Sequence, residues 1–284
     1  MAESEISKEL QLSLPHISIT GVQWGKDDAP SIIALHGWLD NALSFQPLIE
    51  YLPNYRFISL DLAGHGQSGH RDGIYHFSDY VYDLSAVVEQ LELDKFILLG
   101  HSLGGGIAAT YAGLFPKKVT QLILLDSLGP GSGASSDTRR GFIRALKRRQ
   151  RYQRKTPTVI YPDVDAAIEA RDRVGDVPLE ALRNMLVRSL EIVPEGVRLR
   201  QDPGLRLHAP LRMSESQVLN LLEGIEAPCL YFRALSGHVL PESALTRRKS
   251  YLKSCQQVEL EGGHHVHLEH PADVAEYIQK FLEE

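Results

Sequence analysis

Cysteine is nearly absent from this sequence: Cys229 and Cys255 are the only two among 284 residues. Two thiols build no disulfide framework, and neither sits at the spacing of a zinc or dithiol motif. A reducing, cytoplasmic setting is therefore expected. Long apolar runs are missing as well. No stretch reaches the roughly 18 residues a bilayer crossing needs. The opening Met-Ala-Glu-Ser-Glu-Ile-Ser-Lys-Glu carries acids where an export signal is basic and then apolar, so neither export nor stable membrane insertion is expected. Positive charge is in deficit, with 30 Lys/Arg against 36 Asp/Glu and a net charge of −6. That balance argues against nucleic acid as a partner, because phosphate backbones are bound by basic surfaces. Internal repeats, heptads and low-complexity tracts are also missing, which removes solenoids and coiled coils from consideration.

What is present describes a packed globular chain: 43% hydrophobic and 23% charged residues. The charge is unevenly spread. Residues 128–224 hold 17 Lys/Arg and 12 Asp/Glu, whereas the remainder holds 13 and 24. Within that segment, residues 138–155 carry nine Lys/Arg and no acid. Such a run is either a solvated helix face pairing with the acidic remainder or a weak contact surface for an anionic substrate or lipid headgroup.

Short β-branched runs alternate with helical patterns on both sides of this segment, the signature of a parallel sheet covered on both faces. Strands are predicted near Leu10–Leu14, His16–Trp24, Ile32–Leu35, Phe57–Asp61, Phe96–Leu99, Leu122–Leu125, Pro228–Phe232 and Val258–Leu260. The first two alternate apolar and polar residues, as a half-buried antiparallel edge does. Helices are predicted over Ser44–Tyr51, Phe77–Leu91, Leu103–Phe115, Glu242–Leu252 and Ala272–Leu282. The stretch between the two halves shows helical patterns and no strand pattern. Leu179, Leu182, Met185, Leu186 and Leu190 recur at helical spacing, and Ser214 with Gln217 forms a capping box before Val218.

The sharpest chemical signal is Leu98-Leu99-Gly100-His101-Ser102-Leu103-Gly104-Gly105-Gly106, an apolar strand that runs through Gly-x-Ser-x-Gly into a helix. A nucleophile on so tight a turn is held in a strained conformation, and glycine two positions either side lets the chain pass. Serine needs a base, an orienting acid and an oxyanion site. Gly262-Gly263-His264 follows the last strand and makes His264 the candidate base, with His265, His267 and His270 close in sequence. Four histidines without a carboxylate or cysteine pattern at ligand spacing do not point to a metal. The backbone N–H of Leu103, just after the nucleophile, and that of Trp38, at the end of Ile32-Ile33-Ala34-Leu35-His36-Gly37-Trp38, are the candidate oxyanion donors. Trp38 equally suits a pocket wall, and His36 a structural hydrogen bond in its turn.

Together with Asp61-Leu62-Ala63-Gly64-His65-Gly66-Gln67-Ser68, and with Glu269 and Pro271 after His264, these motifs resemble the α/β-hydrolase superfamily. His36-Gly37-Trp38-Leu39-Asp40-Asn41, Leu124-Leu125-Asp126 and Gly263-His264 further resemble its serine hydrolase-like subgroup. The resemblance implies an α/β-hydrolase fold with a mostly parallel eight-stranded sheet, a core of residues 1–127 and 225–284, and a helical cap over 128–224 between the sixth and seventh strands. Many members carry their acid in a Gly-x-x-Asp-x-x-x-Pro turn after the seventh strand. Here that position is Gly237, so the resemblance moves the acid to Asp126 at the end of the sixth strand, with Glu242 as the rival. It implies a cofactor-free serine hydrolase with Ser102, His264 and Asp126 as its triad, acting on a small-molecule acyl ester. Acyl transfer, thioester, amide or carbon–carbon cleavage use the same machinery, and a ligand-binding protein that keeps an idle triad is the alternative from another class. No feature of the sequence fixes an oligomeric state.

Overall fold

The computed structural model describes residues 7–153, 159–173, 177–207, 209–237 and 240–284. Eight strands form one sheet: β1 (Lys8–Ser13), β2 (Ser18–Trp24), β3 (Ser31–Leu35), β4 (Arg56–Leu60), β5 (Phe96–His101), β6 (Val119–Leu125), β10 (Cys229–Ala234) and β11 (Cys255–Leu260). Three further short strands, β7 (Ile160–Tyr161), β8 (Leu190–Val193) and β9 (Gly196–Leu199), form a second sheet. The large sheet has the order β1-β2-β4-β3-β5-β6-β10-β11. Its β1–β2 and β2–β4 pairings are antiparallel and all others parallel.

The wholly apolar central strands serve two cores at once. Ile33, Leu35, Leu98, Leu122 and Leu124 join one buried cluster, while Ile32, Ala34, Ile97, Leu99, Ile123 and Leu125 join the other. Successive side chains on a strand point to opposite faces, so an uninterrupted apolar run is what a sheet covered on both sides requires. Helices α1 (Gln46–Ile49) and α10 (Pro271–Glu283) bury Leu48, Ile278 and Phe281 against one face. Helices α2 (Phe77–Gln90) and α3 (Leu103–Leu114) cover the other with Leu84, Val87, Ile107 and Ala108. The end of α3 falls just before Pro116, which cannot continue it.

Between β6 and β10 lie α4 (Thr138–Gln153), α5 (Val164–Asp172), α6 (Leu179–Ser189) and α7 (Glu215–Glu223), while α8 (Glu242–Lys249) and α9 (Val266–Glu269) flank β11. The Ser214–Gln217 capping box opens α7: the Gln217 N–H donates to Ser214 Oγ at 3.4 Å and the Ser214 N–H to Gln217 Oε1 at 2.8 Å. Val218 and Leu222 of α7 are fully buried in the cluster that holds α3. Two expectations change. The inserted segment is not purely helical, since Leu190–Val193 and Gly196–Leu199 form a hairpin whose Gly196 has φ +139°. Runs this short carry too little periodicity to be read as strands. Ser44–Tyr51 is not one helix either: a 3₁₀ turn, Ala42–Phe45, precedes α1, because the Asn41 side chain caps the Leu43 N–H at 3.0 Å and starts the turn early. Among the described residues, no helix is long and apolar enough to cross a membrane.

Candidate active site

The loops that leave the carboxyl ends of β3, β5, β6 and β11 converge. Ser102, directly after β5, has φ +51° and ψ −112°, a conformation an L-residue adopts only when its surroundings impose it. The flanking glycines show why. A Cβ on Gly100 would lie 2.4 Å from the Gly104 carbonyl oxygen, and one on Gly104 would lie 1.9 Å from that of Leu35. Strand and helix approach too closely for any side chain. Leu103 is the first residue of α3, so its N–H has no acceptor within the helix and lies at the positive end of the helix dipole.

The His264 ring joins two partners. Its Nε2 lies 2.8 Å from Ser102 Oγ and its Nδ1 lies 2.6 Å from Asp126 Oδ2. Asp126 is buried with φ +45°, and its other carboxylate oxygen accepts from the Ala234 N–H at 3.2 Å. The rival acid is elsewhere: Glu242 pairs with Arg233 at 3.0 Å and its side chain is 68% exposed. The Gly237 departure has a steric counterpart, because a Cβ at that position would lie 2.3 Å from Asp126 Oδ2. His238 and Val239, next in that segment, lie outside the described residues.

Trp38 stands in the turn after β3 and is 46% exposed. The turn is fixed from below by His36, whose Nδ1 donates to the Gly37 carbonyl at 2.7 Å while its Nε2 accepts from the Leu62 N–H at 2.9 Å. That places its proton on Nδ1 and makes His36 structural. Burial pushes its pKa down.

The sequence reading missed a second polar network one residue removed from these positions. Asp40 Oδ2 lies 3.2 Å from His265 Nε2 and 3.5 Å from His101 Nδ1, and His101 Nε2 donates to the His264 carbonyl at 2.8 Å. All three residues are buried. Asp40 therefore ties together the turn after β3, the residue before Ser102 and the residue after His264. Burial alone would raise its pKa, but hydrogen bonds from His101 and His265 hold it well below the usual carboxylate range. Among the described residues this is the cluster whose nitrogen and oxygen atoms, all within 4.8 Å of one another, have metal-ligand character. Its sequence signal was Asp40, four residues after His36, which has meaning only once the three loops are brought together.

Comparison with known proteins bears on the fold and the family. A family model described as the alpha/beta hydrolase fold matches residues 30–271. A serine hydrolase-like protein from Danio rerio is 30% identical over 98% of this chain and 89% of its own. Among solved structures, a hypothetical protein from Pseudomonas aeruginosa PAO1 is 36% identical with a TM-score of 0.90, covering 97% of this chain and 99% of that one. The thioesterase domain from the curacin biosynthetic pathway is 25% identical with a TM-score of 0.83, covering 96% and 99%.

Proposed function

The chain belongs to the α/β-hydrolase fold family, and from that premise we propose that it is a serine hydrolase that cleaves a small-molecule carboxylic ester through an acyl-enzyme. The observation that carries this reading is the His264 ring bridging Ser102 Oγ at 2.8 Å and Asp126 Oδ2 at 2.6 Å. With the Nδ1 proton donated to Asp126, Nε2 is left to take the Ser102 proton as Oγ attacks the acyl carbon. The N–H groups of Trp38 and Leu103 receive the oxyanion, a contribution of roughly 10²–10³ in rate for each such donor. The His264 imidazolium then protonates the leaving alcohol, and a water deprotonated by the same ring releases the acid. The segment between β6 and β10, expected as a cap over 128–224, walls the pocket in this reading. No cofactor enters the chemistry.

A fluorophosphonate probe should label the native protein and leave Ser102→Ala unlabelled; equal labelling of both removes the assignment. On aryl esters of graded acyl length, Asp126→Asn should lose on the order of 10⁴ in kcat, by analogy with the protease triad, and Glu242→Gln should stay near the parent rate. A ligand-binding protein with an idle triad would show no turnover above the Ser102→Ala blank.

A further inference from the structure

The inserted segment, with Leu39 of the core, borders an open cavity of about 1170 Å³, larger than the roughly 300–1,000 Å³ usual for small-molecule sites. Six cations line it: Arg144, Lys147, Arg148 and Arg151 of α4, with Arg206 and Arg212 from the chain that returns toward α7. Two carboxylates share the walls, and both are engaged. Asp137 pairs with Arg140 at 2.9 Å, and Asp202 accepts from the Tyr75 hydroxyl at 2.6 Å and from the Gly204 N–H at 2.7 Å. Among the described residues, Arg144, Lys147, Arg151, Arg206 and Arg212 enter no ion pair. Four of the nine basic residues of 138–155 thus line the cavity while staying exposed, and Arg154 and Lys155 lie outside the described residues.

Helix α4 buries no apolar side, unlike an ordinary surface helix, which turns that side inward. Its cations line the cavity, whereas Phe142, Ile143 and Leu146 do not and are 40%, 40% and 58% exposed. The spacing sharpens the point. Arg144 with Lys147 and Arg148, and Arg151 with Lys147 and Arg148, are helix neighbours at three or four residues, and like charges so placed repel. A bound anion would turn that repulsion into attraction, and the guanidinium forks fit phosphate oxygens two at a time. The cavity comes up beside the reactive edge, although neither Ser102 nor His264 is in its wall. Leu39, in the turn after β3, and Ser132 and Gly133, in the segment after β6, lie in its wall, and Gln201 of the wall donates to the Leu39 carbonyl at 2.6 Å.

We propose that this cavity holds the phosphate-bearing carrier part of the acyl substrate, so that the compound cleaved at Ser102 is a phosphorylated ester or thioester. The proposal rests on Ser102 being the acyl-accepting nucleophile. In the thioester case Oγ bonds to the acyl carbon, the carbon–sulfur bond breaks, His264 protonates the departing thiol, and water frees the acid. The phosphate can come from a nucleotide-borne thiol carrier or from a lysophospholipid headgroup.

The test is calorimetric titration of Ser102→Ala protein with coenzyme A and with lysophosphatidate below its micellar concentration. The parent should bind one of them, more weakly as salt rises. The α4 variant Arg144→Gln/Lys147→Gln/Arg148→Gln/Arg151→Gln and the separate variant Arg206→Gln/Arg212→Gln should each weaken that binding at least tenfold. Binding of coenzyme A assigns the thiol carrier, and binding of lysophosphatidate assigns the lipid. In the enzyme with Ser102 restored, the ratio of kcat/KM for an acyl coenzyme A, or a lysophospholipid, over the matching neutral acyl ester should fall at least tenfold in both variants. Absence of binding by the parent, or equal binding by parent and variants, overturns the proposal. Because binding is read without Ser102, its failure is distinct from a failure of fluorophosphonate labelling, which would overturn the nucleophile.

Discussion

A side chain at position 237 and a carboxylate at position 126 compete for one space, since a Cβ on Gly237 would lie 2.3 Å from Asp126 Oδ2. Gly237→Ala should push that carboxylate off the His264 ring and lower kcat on the order of 10²-fold, the usual effect of a misplacement near 1 Å. The exchange should be partly reversible. Asp126 sits at φ +45°, where glycine is unstrained, so Asp126→Gly combined with Gly237→Asp should recover part of the ester turnover that Asp126→Gly alone loses. Steady-state rates of the three variants decide this. The placement of Ser102 and His264 side by side was legible because glycine and strand-end patterning mark them locally. Asp126 was legible only against the family pattern. Asp40 was not, because its meaning lies in contacts with His101 and His265, each distant in sequence.

The buried histidines carry a pH dependence. Burial lowers the pKa of His65 to about 3 and pushes those of His101 and His267 down as well. A base whose folded pKa is depressed binds fewer protons when native than when unfolded. Stability is therefore full above the unfolded histidine value near 6.5 and declines as pH falls below it. For His65 the decline continues toward pH 3, at up to about 1.4 kcal/mol per pH unit. Denaturant midpoints measured from pH 7.5 down to 5 should fall, and His65→Asn should flatten the slope.

At the scale of elements, α6 is fixed to the sheet by polar contacts from loops on its carboxyl edge. Asn41 donates to the Met185 carbonyl at 2.6 Å and to Ser189 Oγ at 2.8 Å. Arg188, buried, donates to Asp61 at 3.0 Å and to Glu9 at 2.8 Å, while Asp61 is wholly inaccessible. Arg188→Ala leaves a buried carboxylate without its cation and should cost about 3–5 kcal/mol, read from urea midpoints. Arg188→Ala with Asp61→Asn should lose less, because the stranded charge is gone. The helical stripe of α6 was readable from Leu182, Met185 and Leu186, which are buried, whereas Leu179 of the same stripe is 55% exposed and Leu190 already belongs to β8. The hairpin that follows it was not, because four-residue strands without long alternation resemble any polar loop. The cavity face of α4 was hidden for another reason: charge pattern alone cannot tell a helix whose cations border open solvent from one whose exposed cations line a cleft.

For the whole molecule, the topology joins neighbours in the sheet that are far apart in sequence. Residues Leu122–Leu125 pair with Cys229–Phe232, and the long inserted segment lies between them. The family fold was readable because every central strand is apolar on both faces, whereas the lateral order needed the coordinates. This order also has a temporal side. On a ribosome adding about 5–20 residues per second, β6 emerges roughly 5–20 s before the strand that covers its open side. During that interval its backbone donors and acceptors form an unprotected edge flanked by side chains that are fully inaccessible in the finished protein. Nascent chains arrested after residue 160 should be cut by protease within 119–125, and chains arrested far enough on for residues up to 260 to have left the ribosome should resist there. The long detour that supplies a pocket wall thus makes synthesis the most aggregation-prone moment in the life of this protein, and slower translation across the insertion would lengthen it.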